Sequence, residues 1–304
     1  MAIITAGLLT ALFTGFNTNF QGALDTVPSE LSKIATVINS TTASNTYGWL
    51  GQFPAFREWI GDRVIKDMAA HGYSITNKSY ESTIGVKRTD IEDDNLGIYT
   101  PLFAEMGRAA GIYPDEHIFA LLKQGISTLC FDGQNFFDTD HPVYPNVDGT
   151  GTAVPTSNLL TPGSGAVAAW YLLDTSRAIK PLIFQSRKKP VMTAMVADTD
   201  ENVFMRDEYR YGVDARSNVG FGFWQMAVAS TKPLNKANFE EAYDLMRSFK
   251  SDGGRPLNIT PKLLVVPSVH RSAAKEVVSV ARLASGADNP NYNLVDVLDT
   301  AWLN

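Results

Sequence analysis

Cysteine is the scarcest residue of consequence in this sequence: Cys130 stands alone among 304 residues. A single thiol excludes an intramolecular disulfide and every cysteine-rich zinc pattern, and it fits a reducing compartment. Charge is thin as well. Lys, Arg, Asp and Glu make up 19% of the chain and leave a formal net charge of -6. Gripping nucleic acid takes surplus cations to neutralise phosphates, so this balance excludes a protein whose main task is holding DNA or RNA. Long apolar runs are also missing. Residues 3–13 are interrupted by Thr5, Gly7 and Thr10 and are too short to span a bilayer. The first Lys or Arg is Lys33, so the basic segment of a secretion signal is lacking. No membrane partner is expected.

Short functional motifs are equally sparse. Gly220-Phe221-Gly222 and Gly163-Ser164-Gly165 are followed by no Gly-Lys-Ser/Thr and complete no GxGxxG, so neither cradles phosphate. Ser268 has no nucleophile elbow around it. The basic run Arg187-Lys188-Lys189 lacks interleaved aromatics and reads as a solvated turn between strands. The best catalytic candidate is Cys130 with Asp138-Thr139-Asp140-His141, as a thiol nucleophile with a base or as ligands for a divalent metal. Against it, Leu129 and Phe131 flank the thiol as they would a buried inert cysteine, and His71, His117 and His270 share no ligand spacing. The loop reading wins. No catalytic residue, metal ligand or cofactor is assigned.

What the chain does have is enough apolar mass for a large core. Hydrophobic residues form 44% of it, and a chain of this length can bury roughly three quarters of its unfolded surface. Leu8, Leu9, Leu12, Phe13 and Phe16 mark a short amphipathic helix whose stripe must be covered by its own domain or by a neighbour. Residues 36–48 are small, polar or β-branched and read as an extended arm. Residues 73–76 and 80–87 read as strands of a hairpin, with Gly72 and Asn77 as turn candidates.

Thr100 and Pro101 open a helix that Gly111 and Pro114 interrupt. Residues 131–165 form a long loop without period, dense in Gly, Pro, Asn, Asp and Thr. Val167, Trp170, Tyr171 and Asp174 suggest a short helix, and residues 181–184 a strand. From Asn238, whose Glu241 completes a capping-box pattern, helix and strand alternate to the end, indicating an α/β layer. Arm, hairpin and loop have little core of their own, which points to burial against other copies.

Several blocks carry a resemblance. They are residues 44–51, Arg57-Glu58-Trp59-Ile60-Gly61-Asp62-Arg63, residues 91–99, Phe131-Asp132-Gly133-Gln134-Asn135-Phe136-Phe137-Asp138, residues 141–151 and 222–229. With them the chain resembles the major head (capsid) subunit of Mu-like bacteriophages, the Mu-type T protein, from the amino-terminal arm to about residue 267 and more loosely beyond. The resemblance implies an α+β fold, the tailed-phage (HK97-like) capsid fold. Its parts would be an amino-terminal helix and arm over residues 1–62, an E-loop hairpin over 63–89, a peripheral domain with a spine helix over 90–235, and an axial α/β domain over 236–304. It also implies assembly as hexamers and pentamers into an icosahedral head, with a portal, a separate scaffold and a head-maturation protease as partners.

Double-stranded DNA would be packaged inside without sequence-specific binding, and the particle would form in the host bacterial cytoplasm. Charged groups near the E-loop, Arg57, Arg63, Lys66 and Arg88, are candidates to pair with a neighbour's Glu92, Asp93 or Asp94. Other readings are a tail-tube or decoration protein, and a Cys- or metal-dependent hydrolase.

Overall fold

The computed structural model describes residues 4–50, 72–93, 95–283 and 285–304. Thr5 caps the first helix by accepting the N–H of Leu8, and α1 (Ala6–Thr26) continues for 21 residues. It buries Leu9, Phe16 and Phe20. Along its exposed side, the hydroxyls of Thr10, Thr14 and Thr18 donate back to the carbonyl four residues earlier, which satisfies them without a partner outside the helix. α2 (Leu31–Ile34) leads into β1 (Ala35–Asn39) and β2 (Ser44–Thr46). Then come β3 (Ser74–Thr76), β4 (Lys78–Lys87), α3 (Arg88–Glu92) and the long α4 (Thr100–Gln124). Four short strands follow: β5 (His141–Val143), β6 (Val154–Thr156), β7 (Leu159–Leu160) and β8 (Trp170–Leu173).

β9 (Leu182–Met195) and β10 (Glu208–Phe221) form a long antiparallel hairpin with α5 (Glu201–Arg206) at its tip. The chain ends with β11 (Ala227–Ser230), α6 (Lys236–Ser248), β12 (Leu263–Pro267), α7 (Arg271–Val278) and β13 (Asp296–Thr300). The strands form a four-stranded sheet in the order β1-β9-β10-β4 and a five-stranded sheet in the order β13-β12-β8-β11-β7, with two small pairs beside them.

Two hydrophobic cores result, and α4 belongs to both. Its first half places Phe103 and Met106 among Phe16, Phe20, Val86, Tyr209 and Tyr211. Its second half places Ile118, Phe119 and Leu122 in the larger core with Trp170, Trp224, Phe239 and Val265. Phe16 stacks on Phe103 with ring centroids 4.1 Å apart, and both meet Tyr211 edge-on. α1 approaches α4 backbone to backbone. A methyl group at Gly107 would lie 2.2 Å from the Phe20 carbonyl oxygen, and one at Gly111 would lie 3.1 Å from Val27 Cβ.

Several expectations are corrected here. The helix stripe at the amino terminus is longer than predicted and is covered by its own chain. Gly111 and Pro114 do not interrupt α4. Gly111 admits α1, and next to Pro114 the buried Asp115 carboxylate accepts the Ser29 hydroxyl and the Glu30 N–H, fastening the incoming chain to the helix. The arm over 36–48 is extended but not free: β1 runs parallel to β9, and the Tyr47 hydroxyl donates to buried Gln185 at 2.6 Å. Of the expected hairpin over 63–89, residues 63–71 lie outside the described residues. Strands β3 and β4 do not pair with each other. β3 pairs with β2, while β4 pairs antiparallel with β10 over ten residues.

Residues 170–173 are a strand, not a helix: all four side chains are buried at the centre of the five-stranded sheet, and so short an apolar run has no period to read. Lys188 lies within β9 and pairs with Asp214 across the hairpin. α6 is capped by Asn235, which accepts the Asn238 N–H, so its start falls three residues earlier than predicted. The five-stranded sheet draws β7, β8 and β11 from before residue 236 and β12 and β13 from after it.

The tight helix crossing gives a test with two signs. Gly107→Ala should destabilise the chain by about 1–3 kcal/mol through overpacking. Gly22→Ala, on α1 with open space around it, should stabilise it by about 0.5–1 kcal/mol. Thermal unfolding of the two variants reads the difference, and equal midpoints would contradict the close approach.

Candidate functional site

The charged groups nominated from sequence are only partly placed. Arg57, Arg63, Lys66 and Asp94 lie outside the described residues. Within the chain, Arg88 and Glu92 pair with each other while both stay partly exposed. One helical turn of α3 sets them face to face, with Arg88 Nε 3.3 Å from the Glu92 carboxylate and 3.9 Å from that of Asp207. The hydrogen bond to Glu92 holds the Arg88 proton more firmly than usual. Arg88 also donates its backbone N–H to the Asp207 carbonyl, so this group ties the end of β4 to the hairpin tip. Asp93 remains exposed.

The outward-facing apolar groups were not visible in the sequence. α5 buries Asn202 and Val203 but leaves Phe204 81% and Met205 70% exposed at the tip of the β9–β10 hairpin. Six residues between charged turns gave no periodic signal. Adjacent large apolar side chains standing in water mark an interaction site more often than a scattered single one does. A second apolar feature is a groove of about 280 Å³ between α4 and the sheet, lined by Tyr80, Met106, Tyr113, His117 and Val213 among others. Burial there holds His117 below the ordinary histidine range.

The loop over 131–165 contains the other notable constellation. His141 is fully buried and lies flat on Trp224, ring centroids 4.1 Å apart and 9° from parallel. Its Nδ1 is 2.7 Å from Asp132 Oδ2, and its Nε2 is 3.2 Å from Asn158 Oδ1. The Asn158 amide cannot turn over, because its NH2 donates to the carbonyls of Phe136, Trp224 and Ala227. Asn158 Oδ1 therefore accepts, both from His141 Nε2–H and from the Asp138 N–H. The contact of Nδ1 with Asp132 needs a second hydrogen. Burial opposes the charge on Asp132, yet donors from His141, the Cys130 thiol and the Gln134 N–H prevail and hold it below the usual carboxylate range. His141 thus meets the Asp132 carboxylate through Nδ1 and the Asn158 amide oxygen through Nε2.

The sequence brought Cys130 and His141 forward with Asp138 and Asp140. The structure does bring the first two together, but on Asp132. Asp138 instead receives the backbone N–H of Asn135 and Thr139 and closes a turn, and Asp140 is pushed up by its hydrogen bond with Asp138. The Cys130 thiol donates to Asp132 at 3.1 Å, and burial pushes it far above the ordinary thiol range. A neutral buried thiol bonded to a carboxylate is no nucleophile. The arrangement knots the loop to the five-stranded sheet.

Residues 9–303 match the family described as the Mu-like prophage major head subunit gpT. The chain is 52% identical over 284 residues to the major capsid protein of Escherichia phage Mu, covering 93% of each chain. It is 50% identical over 280 residues to the Mu-like prophage FluMu major head subunit of Haemophilus influenzae, covering 91% of each. Among solved structures, it superposes on a chain of the procapsid of bacteriophage JBD30 with a TM-score of 0.88 at 69% identity, covering 98% of this chain and all of that one. On a chain of the JBD30 capsid the TM-score is 0.77 at 55% identity, with both chains covered in full.

Removing the pivot of the buried knot should be costly. Asn158→Ala leaves His141 Nε2–H, the Asp138 N–H and three carbonyls short of a partner, and should destabilise the chain by about 2–4 kcal/mol. Denaturant unfolding checks this; a loss under about 0.5 kcal/mol would show that the network carries no load.

Proposed function

The chain belongs to the Mu-like prophage major head subunit family, and on that footing we propose that it assembles as hexamers and pentamers into an icosahedral head around double-stranded DNA. It is a major capsid protein with the tailed-phage capsid fold, a structural component of the virion and not an enzyme. The observation that carries the reading is the match over nearly the whole chain, in sequence and in three dimensions, to subunits of assembled heads. In the terms of that fold, α4 is the spine helix, the β9–β10 hairpin belongs to the peripheral part, and the five-stranded sheet belongs to the axial part. The closer superposition on the JBD30 procapsid than on its capsid supports a further point: the conformation described is that of the unexpanded shell.

The partners of assembly follow from the family: a portal, a separate scaffold and a head-maturation protease. The net charge of -6 suits a wall that encloses a polyanion without gripping it, so the genome can enter and leave. One buried thiol suits assembly in the reducing host cytoplasm.

Within the shell, Phe204 and Met205 at the hairpin tip are covered by a neighbouring copy. Arg57, Arg63, Lys66 and Arg88 pair with a neighbour's Glu92, Asp93 or Asp94, setting register more than affinity, since exposed pairs contribute only about 0–1 kcal/mol each.

Overexpressed protein examined by negative-stain microscopy should give shells or capsomers; helical tubes, or small monodisperse particles with hydrolase activity, would overturn the reading. The double variant Phe204→Ser with Met205→Ser should keep its unfolding midpoint, because both side chains are exposed, but should lower shell yield at least about tenfold. Arg63→Glu should reduce yield or distort the particles, and unchanged shells would remove that residue from the contact.

A further inference from the structure

Cys130, Asp132 and His141 bring a thiol, a carboxylate and an imidazole nitrogen within 4.8 Å of one another, and we propose that they form a structural site for a thiolate-favouring divalent cation such as Zn²⁺. Zn²⁺ accepts sulfur, nitrogen and oxygen donors in one tetrahedral shell. Asp132 stands between the other two, 2.7 Å from His141 Nδ1 and 3.1 Å from Cys130 Sγ. With Zn–ligand distances of about 2.0–2.3 Å, tetrahedral donors lie about 3.3–3.6 Å apart. The two hydrogen bonds need open by less than about 1 Å to admit the ion.

The surroundings are built as a metal site requires. A ligating histidine is normally fixed by a hydrogen bond from its other ring nitrogen. Here Nε2–H donates to Asn158, whose amide is locked by three carbonyls, so Nδ1 is the nitrogen that faces the cluster. The ion takes the place of the hydrogens in the Cys130–Asp132 and His141–Asp132 contacts, which leave to solvent.

A cavity of about 100 Å³ reaches the cluster at Asp132 and is lined also by Tyr144, Trp224 and Gln225 among others, so a water there can take the fourth position. With Cys130 and His141 buried, the ion staples the loop to the sheet.

The test uses the full chain, purified without chelator and dialysed. The wild type should retain one Zn²⁺ per chain by elemental analysis. Loaded with Co²⁺ in its place, it should show a thiolate-to-cobalt charge-transfer band, and Zn²⁺ should raise its unfolding midpoint. Cys130→Ser keeps an O–H donor for Asp132 and should fold. It should lose the band, the retained ion and the Zn²⁺-dependent rise together. Absence of ion and band in folded wild type would overturn the site, and an ion retained equally by Cys130→Ser would show an adventitious ion only. Neither outcome bears on shell assembly, which is read separately.

Discussion

The contact on which the structure turns is the crossing of α1 over α4 at Gly107, where the absence of one side chain lets two backbones meet. A methyl group there would sit 2.2 Å from the Phe20 carbonyl oxygen. Because the helices touch, Phe16 and Phe20 reach the face of α4 that also holds Phe103 and Met106, and the smaller core closes over Tyr209 and Tyr211. Because α4 continues past Pro114, the same rod enters the larger core through Ile118, Phe119 and Leu122. A helix of 25 residues is about 37 Å long, and this one is shared by both cores.

What could be read in advance follows from range. Local signals were legible: the stripe of α1, the α4 helix up to Gly111 and the helix–strand alternation at the carboxyl end. Signals settled by distant partners were not. Pro114 looks like a helix breaker until Ser29 and Glu30 are seen docking on Asp115. Residues 170–173 have no period, and only their position between β12 and β11 makes them a strand. Strand β4 reads as half of a local hairpin because its true partner lies more than 120 residues away. The resemblance of whole blocks, by contrast, carried the fold and the capsid role, because dozens of ordered residues specify far more than any short motif.

The candidate sites divide in the same way. Arg88 and Glu92 were legible as candidates for contact with a neighbour, while their own pairing, set by the i,i+4 spacing on α3, shows only once that helix is seen. Cys130 and His141 were singled out together, yet the carboxylate that joins them is Asp132, and Asn158, which fixes the ring, had no signal at all. Its role comes from three backbone carbonyls converging from two distant segments. Phe204 and Met205 were hidden for the opposite reason: only the fold shows that a helix this short is left facing water.

Among the described residues, the subunit closes two cores and exposes the adjacent pair Phe204 and Met205 at the end of the β9–β10 hairpin. The most direct measurement is a cryo-EM reconstruction of particles assembled from the overexpressed chain. It should show α1 lying along α4 at Gly107 in every subunit of the unexpanded shell, with Phe204 and Met205 packed beneath an adjacent subunit. A shell in which α1 has left α4, or in which the hairpin tip stands free in solvent, would contradict this.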